Sequence, residues 1–138
     1  MGLNILQYKF NFDLINHNSE YVDNTKSTLA IGANKENLAC SYLQAHGLQL
    51  IARNVRYRSG ELDLVMRDGD YLVFVEVRYR RNSQFGSPAE TVVKKKQQRI
   101  LKAASCYLQQ HPSYLACRFD ILAITGIGSI EWLQDAFW

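Results

Sequence analysis

Two acidic residues interrupt a pair of apolar segments near the middle of the chain. Asp63 lies within residues 61–66, and Glu76 lies within residues 71–79. A strand that packs on a protein core rarely carries a charge unless that charge has a partner. Because carboxylate oxygens are the ligands that hard cations such as Mg²⁺ prefer, two acids on one face of a sheet would indicate a metal site.

A turn signal between the two segments predicts how they pair. Asp68-Gly69 is typical of a two-residue turn between antiparallel strands. With this turn, Asp63 pairs with Phe74 and lies diagonal to Glu76, about 7–8 Å away at the backbone. A three-residue loop would place the two acids on opposite faces. Glu61 pairs with Glu76, and because side chains alternate along a strand, four should share one face: Glu61, Asp63, Glu76 and Arg78.

The elements around this hairpin predict one α/β domain. Residues 1–27 are polar and rich in asparagine and favour an irregular N-terminal arm, whereas residues 28–138 favour a single folded domain. An apolar stripe followed by a glycine predicts a helix over 29–46. The predicted strands cover residues 48–51, 54–58, 61–66, 71–79, 118–124 and 130–133.

A second helix should separate the hairpin from the last two strands. Ser87-Pro88-Ala89-Glu90 is a typical helix start, with Ser87 as N-cap and Glu90 completing a capping box. The helix should end at Gln110 before His111-Pro112, with a break near Val93-Lys94. Its predicted buried stripe is Val93, Ile100, Ala104 and Tyr107 or Leu108. This order of elements predicts one central mixed sheet of about five strands flanked by helices.

The charge of the chain is concentrated in its middle. Residues 53–102 carry 12 of the 16 lysines and arginines and 6 of the 13 acids, a balance of +6, whereas the rest carries 4 and 7, a balance of −3. A basic region on a nearly neutral chain is typical of a polyanion-binding face. A merely solvated surface is the alternative.

The cysteine and hydropathy patterns indicate the cellular compartment of the protein. The three cysteines are scattered, without a Cys-x-x-Cys pair, which favours reduced thiols and a cytoplasmic protein. The three histidines show no metal-ligand spacing. We find no signal peptide and no apolar run long enough to span a membrane.

Several motifs together resemble a known family. Asp63 and Glu76-Val77-Arg78, with Glu36 on the preceding helix, resemble the PD-(D/E)XK nuclease core. The resemblance extends along the chain to the YraN-type family of uncharacterised small bacterial proteins, which is placed in the Holliday-junction-resolvase-like superfamily. Its motifs are matched by Gly60–Val65, Val73–Arg81, Lys96–Arg99, Arg118–Asp120 and Asp135–Phe137.

This resemblance implies a restriction-endonuclease-like fold and nucleic-acid binding, without a known substrate. The leading hypothesis is a DNA endonuclease that depends on Mg²⁺ or Mn²⁺, with branched and single-stranded DNA as candidate substrates. Glu36, Asp63 and Glu76 would be the acidic catalytic positions, and Arg78 would occupy the superfamily's lysine position. Asp63 and Glu76 would hold the metal together with the backbone carbonyl of Val77. The resolvase-like members of this superfamily also suggest a homodimer, and no membrane partner is expected.

The nucleic-acid partner, DNA rather than RNA, would contact basic and polar residues around these acids. Phosphate contacts need cations along a groove, and no motif indicates base readout. The residues expected to line this groove are Arg56, Arg58, Tyr79, Arg80, Arg81, Lys94, Lys95, Lys96, Gln97 and Arg99.

Two other functions stay open at this point. Because an arginine does not lose its proton, Arg78 cannot act as a general base, and the chain could be a non-catalytic nucleic-acid-binding module. It could also be a structural or interaction protein whose Asp63 and Glu76 pair with nearby arginines. Glu61 could pair with Arg58 or Arg78, and Glu36 could simply favour the early turns of its helix.

Overall fold

The computed structural model describes residues 27–80, 92–126 and 128–138. The predicted arm, Arg81 and the Ser87 capping box therefore lie outside the described residues. The elements are α1 (Ser27–Ala45), β1 (Gln49–Tyr57), β2 (Gly60–Asp68), β3 (Tyr71–Arg80), α2 (Lys94–Gln110), β4 (Ala116–Thr125) and β5 (Ile130–Leu133).

The five strands form one mixed sheet in the order β1-β2-β3-β4-β5. All neighbouring pairs are antiparallel except β3 and β4, which are parallel. A parallel pair needs a crossover connection, and α2 lies within it. This confirms the predicted α/β class, with the arrangement expected of a restriction-endonuclease-like fold.

Each helix covers one face of the sheet, and β3 is buried on both sides. Leu72 and Phe74 pack in the cluster that contains α2, whereas Val73 and Val75 pack in the cluster that contains α1. The near-continuous apolar sequence of β3 fits a central strand of this kind. By the same alternation, Glu76 belongs to the face that α2 covers.

The hairpin between β2 and β3 turns one residue later than predicted. Asp68 pairs with Tyr71, so Gly69-Asp70 is the loop, and Gly69 has a φ of 58°. Glycine at the first loop position is typical of a II′ turn. Asp68 stays in the strand because Arg118 donates a hydrogen bond to its carboxylate at 2.9 Å.

The change of turn moves every cross-strand pair by two residues and leaves the faces unchanged. Val65 pairs with Phe74 and Leu64 with Val75, where the ladder between these two strands ends. The predicted pairing of Asp63 with Phe74 was therefore wrong. The prediction that the two acids lie close together holds, because Glu76 acts on Asp63 through its charge and through a side-chain hydrogen bond.

Helix α2 begins at the predicted break and ends where predicted. Ile100, Ala103, Ala104 and Tyr107 are its buried residues. Val93 was expected in this stripe but is 63% exposed, because it precedes the helix in an extended conformation and Val92 is buried instead.

A buried carboxylate ties the C-terminal segment to the sheet. Asp120 is fully buried and accepts two hydrogen bonds from Arg118 at 2.9 Å. It also accepts hydrogen bonds from the Trp132 indole and the Asp135 backbone, both at 3.0 Å. These contacts give the Arg118–Asp120 and Asp135–Phe137 motifs a structural role.

Two further observations concern the cysteines and the hydropathy of the helices. Cys40, Cys106 and Cys117 are free thiols, and Cys40 is buried. Among the described residues, neither helix is apolar and long enough to cross a bilayer.

Candidate functional site

The two acids of the hairpin form one buried carboxylate pair. Glu76 is only 4% exposed and Asp63 is partly buried. Glu76 acts on Asp63 both through its charge and through a side-chain hydrogen bond, so the two carboxyl groups lie close together. Asp63 also accepts a hydrogen bond at 2.8 Å from the backbone N–H of Val77. The hairpin thus brings the predicted metal ligands together, and Val77 contacts the pair through its N–H.

Burial and charge repulsion favour the protonated form of Asp63. Burial, followed by the negative charge of Glu76, raises the pKa of Asp63 from 3.8 to about 7, although the Val77 N–H and Lys96 act in the opposite direction. Two close carboxylates in a poorly solvated site cannot both ionise easily. A perturbed pKa of this kind is typical of functional sites.

Two cations approach Glu76 from different elements. The Lys96 ammonium, at the start of α2, lies 3.2 Å from Glu76 Oε1. Arg78, two residues along β3, lies 3.9 Å from the same oxygen. Arg78 was expected on this face, whereas Lys96 was expected only in the surrounding groove.

A sequence signal for the position of Lys96 does exist. Lys96 lies four residues before Ile100, on the same helical stripe as the buried residues of α2. A charged residue on an apolar stripe usually has a buried partner. The stripe of α2 therefore indicated that Lys96 reaches toward the sheet.

Glu36 lies beside the pair but belongs to a different set of contacts. It is the tenth residue of α1, so the early-turn explanation for its presence was wrong. Burial raises its pKa, a hydrogen bond with Asn54 lowers it, and the charge of Asp63 raises it again. Its carboxylate lies 4.0 Å from Arg53. Glu36 thus adds negative potential near Asp63 while being held by β1.

No group of three or more potential metal-ligating side chains comes together in the described part of the chain. The candidate site accordingly consists of two carboxylates rather than three. Mg²⁺ is commonly held by one or two carboxylates, with waters and substrate phosphates completing its octahedron. The two hard-oxygen donors fit such an ion, which would compete with the Lys96 ammonium for Glu76.

Most of the predicted groove residues are exposed, and Tyr79 and Gln97 have specific contacts. The exposed ones are Arg56, Arg58, Tyr79, Lys94, Lys95 and Arg99, whereas Arg80 is half-buried. Tyr79 lies under the Lys35 ammonium, which is 3.1 Å from the ring centre. Gln97 donates a hydrogen bond to the Val92 carbonyl at 2.9 Å and so supports the start of α2.

The arginine partner of Glu61 differs from both predictions. Glu61 lies 3.5 Å from Arg56 across the β1–β2 pair, rather than against Arg58 or Arg78. The β1–β2 register explains this contact, because Arg56 and Glu61 are direct partners in it. Both side chains are well exposed, so the pair contributes little to stability.

Comparison with known proteins now identifies the family. The sequence profile of the uncharacterised protein family UPF0102 matches residues 35–124. This chain belongs to UPF0102. The match agrees with the YraN-type resemblance, and it spans both the carboxylate pair and the Arg118–Asp120 motif.

Several UPF0102 proteins are similar to this one over most of their length. One from Yersinia enterocolitica is 52% identical over 109 residues, which is 77% of this chain and 92% of the relative. One from Coxiella burnetii is 50% identical over 111 residues, 79% of this chain and 92% of the relative. One from Shewanella denitrificans is 50% identical over 109 residues, 79% of this chain and all of the relative.

Proposed function

We propose that this UPF0102 protein is a Mg²⁺- or Mn²⁺-dependent endonuclease that binds DNA and hydrolyses its phosphodiester bonds. The observation that supports this most is the close pair of Asp63 and Glu76, in which Glu76 is buried and faced by Lys96 and the pKa of Asp63 is raised. A purely structural ion pair needs no second acid beside Glu76, whose carboxylate both Lys96 and Arg78 approach. A second acid held beside the first is costly unless it serves another purpose.

Asp63 and Glu76 would hold the metal ion. When bound, that ion would supply positive charge to the phosphoryl group and acidify an attacking water molecule. The Val77 N–H orients the Asp63 carboxylate through its hydrogen bond at 2.8 Å. Preorganised ligands of this kind avoid reorganisation during the reaction.

Lys96 and Arg78 would together perform the two roles of the superfamily's lysine, proton transfer and charge neutralisation. A lysine can exchange a proton, whereas an arginine stays charged and binds phosphate through its planar fork. Both approach the same Glu76 oxygen. Lys96 would therefore move or hold a proton near the reacting phosphate, and Arg78 would neutralise the charge that develops on it.

The proposal is tested with a substrate panel. Linear, single-stranded, flap and four-way-junction DNAs, together with RNA, are incubated with the protein and either Mg²⁺ or Mn²⁺. We expect metal-dependent cleavage of at least one DNA and a loss of about 100-fold or more in Asp63→Ala and Glu76→Ala. Asp70→Ala removes an exposed carboxylate from the same hairpin and should leave cleavage unchanged.

The other outcomes separate the alternatives. Salt-dependent DNA binding without any metal-dependent cleavage would identify a non-catalytic nucleic-acid-binding module. Neither binding nor cleavage would leave the structural or interaction protein as the remaining function.

The division between Lys96 and Arg78 predicts different variant effects. Lys96→Gln should lower the cleavage rate by about 100-fold, because it removes both charge and a transferable proton, whereas Lys102→Gln at an exposed position of the same helix should have little effect. Arg78→Lys keeps the charge and should cost about tenfold through loss of the planar fork. Rates are measured from pH 5.5 to 9. An increase of activity in Arg78→Lys would show that the parent site is disabled at position 78.

A further inference from the structure

A basic cleft adjoins the carboxylate pair on the side of α2. It encloses about 320 Å³ between the end of β1, the start of β2 and the first turns of α2. Arg56, Lys96 and Arg99 line it with their cationic side chains, and Glu61 is its acidic member. Glu61 is already paired with Arg56, so the cleft retains an excess of positive charge.

The three cations converge because of local geometry. Lys96 and Arg99 are three residues apart and so lie on one side of α2. Arg56 is exposed on β1, across the cleft from the helix. Arg99 makes no ion pair with any residue among those that the structure describes. Because Lys96 pairs with Glu76 and Arg56 with Glu61, Arg99 is the cation of this cleft that no described acid pairs with.

Close packing between the β1–β2 turn and α2 builds the wall of the cleft. A Cβ atom added to Gly60 would lie 2.7 Å from the Arg99 carbonyl oxygen. Real Cβ atoms do not approach a backbone oxygen so closely, so only glycine allows the turn and the helix to meet here. The spacing between Arg56 and Arg99 depends on this contact.

Lys96 connects the cleft with the carboxylates, since it both lines the cleft and contacts Glu76. We propose that this cleft is a phosphate subsite, an inference that rests on the proposed nuclease function. It binds the phosphodiester group next to the one held at Asp63 and Glu76. The ligand is a nucleic-acid strand, because a strand presents regularly spaced phosphates to adjoining sites.

Salt-dependent binding tests the subsite without relying on catalysis. A labelled single-stranded DNA oligonucleotide is titrated with the full chain in EDTA at several salt concentrations. Arg56→Gln and Arg99→Gln should each weaken binding by about tenfold and reduce the magnitude of the salt slope by about 0.7, the value for one lost phosphate contact. Lys102→Gln removes the same charge from α2 outside the cleft and should leave the slope unchanged.

A glycine substitution tests the shape of the cleft at constant charge. Gly60→Ala should weaken DNA binding by about tenfold because it separates the turn from α2, whereas Ser59→Ala should not. Circular dichroism and thermal melting establish that each variant is folded. Unchanged binding by a folded Gly60→Ala protein would overturn the cleft as the subsite.

The remaining outcomes distinguish this inference from the proposed function. Equal losses in Arg56→Gln, Arg99→Gln and Lys102→Gln would overturn the subsite and leave nucleic-acid binding in place. Binding that follows the expected pattern, without cleavage of any substrate, would support the subsite and overturn the endonuclease. A parent protein that binds neither DNA nor RNA would overturn both.

Discussion

Asp63→Asn is expected to stabilise the protein at pH 8 by up to about 4 kcal/mol. Burial and the neighbouring Glu76 raise the pKa of Asp63 from 3.8 to about 7 in the folded protein, and each pKa unit corresponds to about 1.4 kcal/mol. At pH 8 the parent must ionise this carboxyl in an unfavourable site. Asparagine avoids that cost and can still accept the hydrogen bond from Val77.

The sign of the pH dependence follows from the raised pKa. Below about pH 4, Asp63 is protonated in both states, and its contribution to stability is fully present. As pH rises from about 4 to 7, the unfolded chain releases the proton while the folded chain keeps it, so stability falls. Above about pH 7 both states have released the proton, and the difference from Asp63→Asn stays constant.

Urea unfolding at pH 4 and pH 8 measures this difference. Asp70→Asn, an exposed position in the same hairpin, is the matched control and should change stability by less than about 0.5 kcal/mol at either pH. If Asp63→Asn raised the free energy of unfolding by the same amount at pH 4 and at pH 8, the raised pKa of Asp63 would be contradicted.

The same substitution should also remove stabilisation by metal. A ligand that binds only the folded state at 100 times its Kd adds about 2.7 kcal/mol, so Mg²⁺ should raise the Tm of the parent at pH 8. The rise should shrink at pH 5.5, because the proton on Asp63 competes with the ion. Asp63→Asn should show no rise at either pH.

Asp120→Ala should lower the free energy of unfolding by about 3–5 kcal/mol. The substitution removes the fully buried acceptor of four hydrogen bonds and leaves Arg118 with only Asp68 as a carboxylate partner. Asp135 also loses its tie to the sheet. We therefore expect a less stable protein whose C-terminal segment is the first part to be released.

Tryptophan fluorescence gives a direct readout of this release. Both tryptophans of the chain, Trp132 and Trp138, lie in or after β5. Their emission should shift to longer wavelength in Asp120→Ala at urea concentrations that leave the parent unchanged. Coincident unfolding curves for the parent and the variant would refute the structural role of Asp120.

The two-residue repeat of side chains along a strand predicted the hairpin strands correctly, even though the turn was placed one residue too early. Asp68-Gly69 looked like the loop because local turn chemistry favours it. The bond from Arg118 to Asp68 is made across 50 residues of sequence, so it leaves no local signal. The prediction that Asp63 and Glu76 come together stayed correct because a register error of two residues leaves each side chain on the same face of its strand.

Long-range contacts account for the rest of what was missed. The order of elements follows from local patterns, including the end of α2 at Gln110. The stripe of α2 indicates that Lys96 reaches toward the sheet, but its contact with Glu76 in particular depends on how the helix crosses the strands. The exposure of Val93 has the same cause, since the packing of Val92 decides which of the two valines is buried.

Strand β1 has one neighbour among the described strands and lies at an edge of their sheet. Arg53 and Arg56 are exposed along it, and Arg58 is exposed in the turn that follows. Asn54 has a φ of 52°, and the register of the strand shifts between Leu50 and Ala52. Like charges and local irregularity prevent an edge strand from pairing with the same edge of another molecule. Arg56 and Arg58, which would meet nucleic acid, thus also protect the protein from aggregation together with Arg53, and neutralising all three would remove that protection.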